Sequence, residues 1–259
     1  MKQIYNARVV SNERAVDNLF RLVVELDAPL DAMPGQFVQL KLPSNEFTLR
    51  RPFGIARIKS PNQSRLTMFY RLVGRGTEFL STVSEGVQLD LIAPLGNWFN
   101  FNVEEKILLV GGGVGLAPLL SVAFANGIAD VSFCDVLIGG KTAAEVDMWM
   151  REFGGIVNEI FYTTDDGSAG LKGFVTDLLP RVLSMEKYDA VMVCGPTIMM
   201  KNVSAMVAQR GIRCEVSMER RMACGLGACL SCSIDTVNGR KKVCKDGPIF
   251  DAREVLFDV

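Results

Sequence analysis

The sequence contains no histidine. That removes imidazole acid/base chemistry, Ser-His and Cys-His nucleophilic pairs and every His-ligated metal site. Whatever reaction the chain supports must run with little proton shuttling by side chains. An excess of charge is missing too. With 28 Lys and Arg against 29 Asp and Glu, the net charge of −1 leaves no electrostatic footprint for nucleic acid. The start, Met1-Lys2-Gln3-Ile4-Tyr5, has no apolar core and runs into Asn6 and Arg8, so no secretory signal is read. One stretch, Ile107 to Ala129, carries no charge, but Pro118 and five glycines interrupt it. A buried strand, a glycine-rich turn and a buried helix explain it better than a membrane span. The expectation is a soluble, cytoplasmic protein with neither nucleic acid nor membrane as partner.

At 259 residues the chain is too long for one small domain. Up to about residue 101 it shows short alternating runs: Ala7–Val10, Leu19–Leu26, Gln36–Leu42 and Arg65–Val73. Turns at Pro34-Gly35, Pro43-Ser44-Asn45, Pro61-Asn62 and Pro94-Leu95-Gly96 separate them, and one short helix is expected over Gly76–Ser84. This predicts a small antiparallel β-barrel over residues 1–101. Then the rhythm changes. Strands at Ile107–Val110, Val131–Ile138, Ile156–Thr163 and Ala190–Cys194 alternate with helices from Pro118, over Thr142–Phe153, over Gly173–Leu183 and near Thr197–Arg210. Buried strands alternating with helices predict an α/β parallel-sheet nucleotide-binding domain over residues 102–211. Residues 212–259 form a small C-terminal segment that holds four of the seven cysteines.

Cys224, Cys229, Cys232 and Cys244 are spaced C-x4-C-x2-C-x11-C. The first three match the plant-type [2Fe–2S] pattern, in which a distant fourth cysteine closes the site. Gly225 and Gly227 in that loop let backbone amides turn inward. Asn238-Gly239 reads as a two-residue hairpin turn, pairing Val237 with Arg240 and counting back to Ser233 opposite Cys244, which makes Cys232 and Cys244 neighbours. Zinc sites come as paired short C-x2-C hooks, which this spacing is not, and thiols packed only as core need no spacing at all. Cys134, Cys194 and Cys214 read as core residues on strands.

In the barrel, Arg51-Pro52-Phe53-Gly54 joins a guanidinium suited to clamp a pyrophosphate with an aromatic ring suited to lie beside a planar one. Tyr70-Arg71-Leu72 stands on a later strand, and Gly76-Thr77 opens a helix whose start suits phosphate. Each motif is weak alone; together, ahead of an α/β domain, they point to a flavin. Gly113-x-Gly115 fits part of a dinucleotide fingerprint, with Pro118 in place of the third glycine. Asp165 and Asp166 would repel a 2′-phosphate and so favour NAD over NADP, though an ordinary Asp-Gly turn explains them equally well. Glu215 and Glu219 are expected on a solvated helix face.

In this order, Arg51 to Gly54, Gly76-Thr77, Gly111 to Pro118, Cys194-Gly195-Pro196 and the cysteine segment resemble the ferredoxin–NAD(P)H reductase superfamily. More narrowly, Glu219 to Cys232 and Val243 to Phe250 resemble the electron-transfer subunits of NAD-linked, B-type dihydroorotate dehydrogenases. The resemblance implies FAD in the barrel, held by Arg51 to Gly54, Tyr70 to Leu72 and Gly76-Thr77. It implies NAD as electron acceptor on the α/β domain, with Gly113, Gly115, Cys194, Gly195 and Pro196 near it, and a [2Fe–2S] cluster on the four cysteines. Gly54 stands where the family often has Ser or Thr. No catalytic side chain is expected. The implied route runs from the FMN of a catalytic subunit that oxidises dihydroorotate, through the cluster and FAD, to NAD+. The implied assembly is a heterotetramer of two plus two, serving pyrimidine biosynthesis. Two other readings are a self-sufficient NAD(P)H-dependent reductase for an oxygenase, ferredoxin or sulfur acceptor, and a zinc-bearing regulatory module.

Overall fold

The computed structural model describes residues 2–58, 64–102, 104–127 and 133–257. The amino-terminal part is a closed barrel of six antiparallel strands: β1 (Gln3–Val16), β2 (Leu19–Leu26), β3 (Phe37–Lys41), β4 (Arg51–Ile58), β5 (Arg65–Arg71) and β6 (Gln88–Leu95). They follow the order β1-β2-β5-β4-β3-β6, and β6 closes on β1. Alternation decides which side chains fill it, Tyr5, Ala7 and Val9 from β1 facing Leu89, Leu91 and Ala93 from β6. Two register breaks, at Val9/Ser11 and Arg14/Val16, let the long β1 bend around the barrel. Strand β1 extends beyond the expected Ala7–Val10 at both ends, and β6 is an additional strand, whose outward Asp90 is paired with Arg50 at 2.7 Å. Helix α1 (Arg75–Ser81) starts at Gly74, where the Thr77 hydroxyl accepts from the amides of Val73 and Gly74.

The second part is a seven-stranded sheet. Its strands are β7 (Ile107–Gly112), β8 (Cys134–Gly140), β9 (Ile160–Thr164), β10 (Leu171–Lys172), β11 (Ala190–Cys194), β12 (Arg213–Ser217) and β15 (Ile249–Asp251). Helices α2 (Leu116–Gly127), α3 (Ala143–Phe153), α4 (Val175–Met185) and α5 (Thr197–Ala208) connect them. The order is β10-β9-β8-β7-β11-β12-β15, parallel throughout except for the last pair. The expected Pro61-Asn62 turn, and Val131 and Ser132 at the expected start of the second strand, lie outside the described residues. Cys134, Cys194 and Cys214 are buried on β8, β11 and β12. No helix among the described residues is long and apolar enough to cross a membrane.

Glu215 is on strand β12, not on a helix, because Cys214 and Val216 alternate inward with period two. Beyond β12 lie the cysteine loop, the hairpin β13 (Ser233–Thr236) and β14 (Gly239–Lys242), and the short helix α6 (Val243–Asp246). The hairpin register differs from the sequence expectation. Thr236 pairs with Gly239 and Ser233 with Lys242, so the turn residues are Val237-Asn238. The Thr236 hydroxyl accepts from the Asn238 amide (3.2 Å), and the Val237 amide donates to the Glu254 carbonyl (2.9 Å), which takes Val237 out of the ladder. Cys232 and Cys244 still meet, with the Val243 amide on the Cys232 carbonyl at 3.0 Å.

The parts are packed together. Gly35 donates its amide to the Ser121 hydroxyl at 3.0 Å, and the rings of Phe69 and Trp149 stand 4.9 Å apart. At the far side Asn97, just past β6, clasps the end of the cysteine segment. Its amide donates to the Gly247 carbonyl (2.6 Å), and its side-chain nitrogen donates to the carbonyls of Asp246 (3.1 Å) and Ile249 (2.7 Å). Its side-chain oxygen accepts from the Ile249 amide at 2.9 Å. Asn97→Ala removes the three side-chain bonds and should destabilise the protein by about 2–3 kcal/mol, at roughly 1 kcal/mol each. Hydrogen exchange at Ile249 should quicken while the β7 amides stay protected; unchanged exchange at Ile249 would show that the clasp holds nothing.

Candidate functional site

The sheet order reverses between β7 and β11, and open α/β sheets bind ligands outside the carboxyl ends of their strands at such a point. Here β7 ends in Gly111-Gly112 and β11 ends at Cys194, paired with Gly111. A cavity of about 810 Å³ opens there, lined by Gly113, Gly115, Gly195 and Pro196 among others. The closeness of the two strand ends dictates the glycine at 115. A Cβ on it would meet the Cys194 carbonyl oxygen at 2.6 Å and the Gly195 nitrogen at 2.7 Å. Cys194 itself is buried beneath the cavity floor, and burial pushes its thiol pKa well above the ordinary value.

Thr163 and Asp165, at the end of β9, also line this cavity. The Thr163 hydroxyl is buried there without a hydrogen-bond partner. Burial raises the Asp165 carboxyl, and the Glu145 charge adds to the rise. Asp166 points away and accepts from the amide and hydroxyl of Ser168. Arg71 and Lys141 face Glu145, Asp165 and Glu219 around the cavity, so no excess positive charge is present for a 2′-phosphate.

A second cavity, about 1150 Å³, lies between the barrel, the α2 start and the cysteine segment. Five arginines (50, 51, 71, 220 and 221) line it against two glutamates, which suits a dianionic pyrophosphate. Arg51, Pro52, Phe53, Gly54, Tyr70, Arg71 and Thr77 all face it. Tyr70 is held by packing against Phe20 and Phe53 and by donating its hydroxyl to the Asn12 side-chain oxygen at 2.8 Å, and burial raises its pKa. Gly76 lies behind Arg51, where a Cβ would stand 2.5 Å from a guanidinium nitrogen. Leu72 packs on the barrel core. Gly54 faces Pro118 of α2, with 3.5 Å between its ideal Cβ and that ring.

Two charged residues join the cavities: Arg71, expected as a flavin contact, and Glu219, expected on a solvated helix face. Arg71 lines both, and its guanidinium reaches the buried Glu145 of α3 at 2.5 Å. Glu145 also accepts from the Lys141 amide at 3.1 Å, so one carboxylate fixes the barrel against the α3 start. Nothing in the sequence relates β5 to α3, and the pair is invisible before folding. Glu219 is in the loop after β12 rather than on a helix. It is exposed, as expected, and lines both cavities.

The four cysteines form two pairs. The amides of Leu226 and Cys229 aim at the Cys224 sulfur at 3.4 and 3.5 Å. Partial burial opposes ionisation of Cys224, but these amides, the Cys229 thiol and the Ala228 amide hold its pKa down to about 6. Cys232 and Cys244 make the other pair, with the Cys244 amide 3.4 Å from the Cys232 sulfur; burial and the Cys232 contact push Cys244 up to about 12. Gly225 and Gly227 have φ of 69° and 86°, the left-handed turn that points the loop amides inward. No three His, Cys, Asp or Glu side chains among the described residues gather around a single-ion position. The two-and-two grouping fits a binuclear iron–sulfur cluster, which takes two thiolates on each iron.

Residues 219–256 match the family model of the iron-sulfur cluster binding domain of dihydroorotate dehydrogenase B. The dihydroorotate dehydrogenase B (NAD(+)) electron transfer subunit of Clostridium acetobutylicum is 35% identical, with 100% of both chains covered. That of Clostridium perfringens is 37% identical, over 98% of this chain and 99% of its own. Among solved structures, a chain of the NADH-dependent reduced ferredoxin-NADP oxidoreductase is 32% identical with a TM-score of 0.88, covering 97% of this chain and 90% of its own. A ferredoxin reductase of carbazole 1,9a-dioxygenase shares the fold at 21% identity and a TM-score of 0.69, over 82% of this chain and 67% of its own.

Gly115→Ala should cost about 1–3 kcal/mol or more, because its methyl meets backbone on the neighbouring strand. Gly112→Ala should cost less, since its Cβ meets the movable Met199 sulfur at 3.1 Å. Thermal melts by circular dichroism rank the two; equal melting points would contradict the packing described.

Proposed function

The chain belongs to the family of electron transfer subunits of NAD(+)-linked dihydroorotate dehydrogenase B, and on that premise we propose how its residues do the work. It is a flavin-dependent oxidoreductase subunit that uses FAD, an iron–sulfur centre and NAD, and acts with a partner catalytic subunit. Bound FAD exchanges electron pairs with a nicotinamide and single electrons with a [2Fe–2S] cluster, and so converts one currency into the other. The observation that carries the assignment of sites is the shared wall. Met218 to Met222 and Ser231, from the cysteine segment, line the same arginine-rich cavity as Arg51 to Gly54.

In this reading residues 1–101 hold FAD. Arg51 clamps its pyrophosphate at the start of α1, Phe53, Gly54 and Tyr70 bound the ring, and Thr77 and the Gly76 backbone shape the phosphate end. Residues 102–211 hold NAD, with Gly113, Gly115, Gly195 and Pro196 leaving room for it over the buried Cys194. Thr163 and Asp165 face its ribose side and disfavour NADP. Residues 212–259 hold the cluster on Cys224, Cys229, Cys232 and Cys244. The partner carries FMN, oxidises dihydroorotate and joins two plus two with this subunit in the cytoplasm. It docks at the cysteine loop, where Cys229 is exposed and Leu226 and Leu230 present apolar surface (46% and 61% exposed).

A second reading rests on the solved relative at 32% identity, a chain of a ferredoxin-linked oxidoreductase. Copurification separates the two: a dihydroorotate-oxidising FMN subunit supports the first, and a ferredoxin-dependent partner the second.

The purified chain should contain one FAD and two irons, and Cys232→Ser should lose the iron while keeping the flavin. Zinc without flavin would overturn the reading. Arg51→Ala removes a charge-assisted clamp of about 1.5–3 kcal/mol. Flavin affinity should therefore fall about 10- to 100-fold in fluorescence titrations, with iron content unchanged.

A further inference from the structure

Gln39, in the middle of β3, is fully buried (0% exposed), yet nothing above requires a polar side chain there. Its side-chain oxygen has no hydrogen-bond partner. Its amide nitrogen reaches the Met222 sulfur at 3.6 Å. A carboxamide carries two N–H protons, and a thioether is a weak acceptor able to take one of them. A buried group matched this poorly costs stability, and a leucine or methionine of similar volume would fill the space without that cost.

The surroundings say what the group is for. On one side Gln39 is paired with Pro52, and both Pro52 and Met222 line the arginine-rich cavity. On the other side the carboxamide presses on Gly225, the residue after Cys224. A Cβ at Gly225 would stand 2.5 Å from the Gln39 Cγ and 2.6 Å from its Nε2. The absence of a side chain at 225 is therefore what lets this amide approach the loop. A barrel residue thus stands in the wall between the flavin cavity and the first cysteine pair, with an N–H to spare.

Resting on the iron–sulfur reading of the four cysteines, we infer that Gln39 is the barrel's hydrogen-bond donor to the sulfur shell at Cys224. Hydrogen bonds to cluster sulfurs help set the reduction potential. An N–H directed there favours the more negative, one-electron-reduced form and so raises the potential. Gln39 is a positioning residue: it binds no substrate, and it fits the cluster's potential to the flavin on the other side of the wall.

The test is an EPR-monitored redox titration of Gln39→Leu and Gln39→Met in the complex as isolated from cells, with iron and flavin quantified first. Both variants should keep flavin and iron and shift the cluster equilibrium about tenfold toward the oxidised form, about 59 mV for a one-electron couple. The FAD couple should stay in place. A cluster potential equal to wild type in the variants overturns the inference. If neither variant retains iron, pulsed EPR of the wild-type protein labelled with 15N in its glutamine side-chain amides decides. A 15N coupling to the cluster supports the role, and its absence overturns it. A wild-type chain free of iron would instead sink the iron–sulfur reading beneath the inference.

Discussion

The arrangement depends on the chain's return to the sheet edge. After β12 it leaves for the cysteine loop and hairpin, then comes back as β15 and pairs antiparallel with β12, Ser217 opposite Ile249. Both ends of the cysteine segment are therefore fixed on the same strand pair. Asn97 adds the second restraint, tying residues 246–249 to the end of the barrel through its backbone and every polar atom of its side chain. A small segment with little core of its own would gain too little from burial to hold a rigid shape. Anchored this way, it borrows rigidity from the two larger parts and becomes a wall of the arginine-rich cavity.

Charge divides the labour between the two cavities. The barrel cavity sets five arginines against two glutamates, whereas the sheet cavity sets Arg71 and Lys141 against Glu145, Asp165 and Glu219. Arg71 belongs to both, and its bond to Glu145 fixes the distance between them. The pair is largely buried, where removing one partner costs far more than the pair contributes. It is best understood as setting the angle between barrel and sheet. The want of histidine is consistent with this division, since neither cavity needs a side chain that exchanges protons near neutral pH.

Much of this was legible in the sequence because local chemistry controls it. The C-x4-C-x2-C spacing, the Gly113-x-Gly115 turn and the Arg51 to Gly54 strand each place their atoms through short-range geometry. Strand β11 could be read to the residue from its apolar run. Strand β6 is missed although Leu89, Leu91, Ala93 and Leu95 alternate inward. Pro94-Leu95-Gly96 reads as a turn, and the run is held as a strand by pairing with β1 and β3, distant in sequence. The hairpin register moved because the Thr236 hydroxyl and the Glu254 carbonyl compete with the Asn-Gly signal. Asn97, Arg71–Glu145 and Gln39 were out of reach for one reason: each acts on a partner far away in sequence.

If the cysteine segment and the two cavities form one electron-transfer unit ending at NAD, anaerobic NADH should reduce the flavin and the cluster together in the isolated complex. Followed by EPR, a [2Fe–2S] signal approaching one unpaired electron per chain should appear as the flavin bleaches. Flavin bleaching with no cluster signal, in a sample of full iron content, would contradict it.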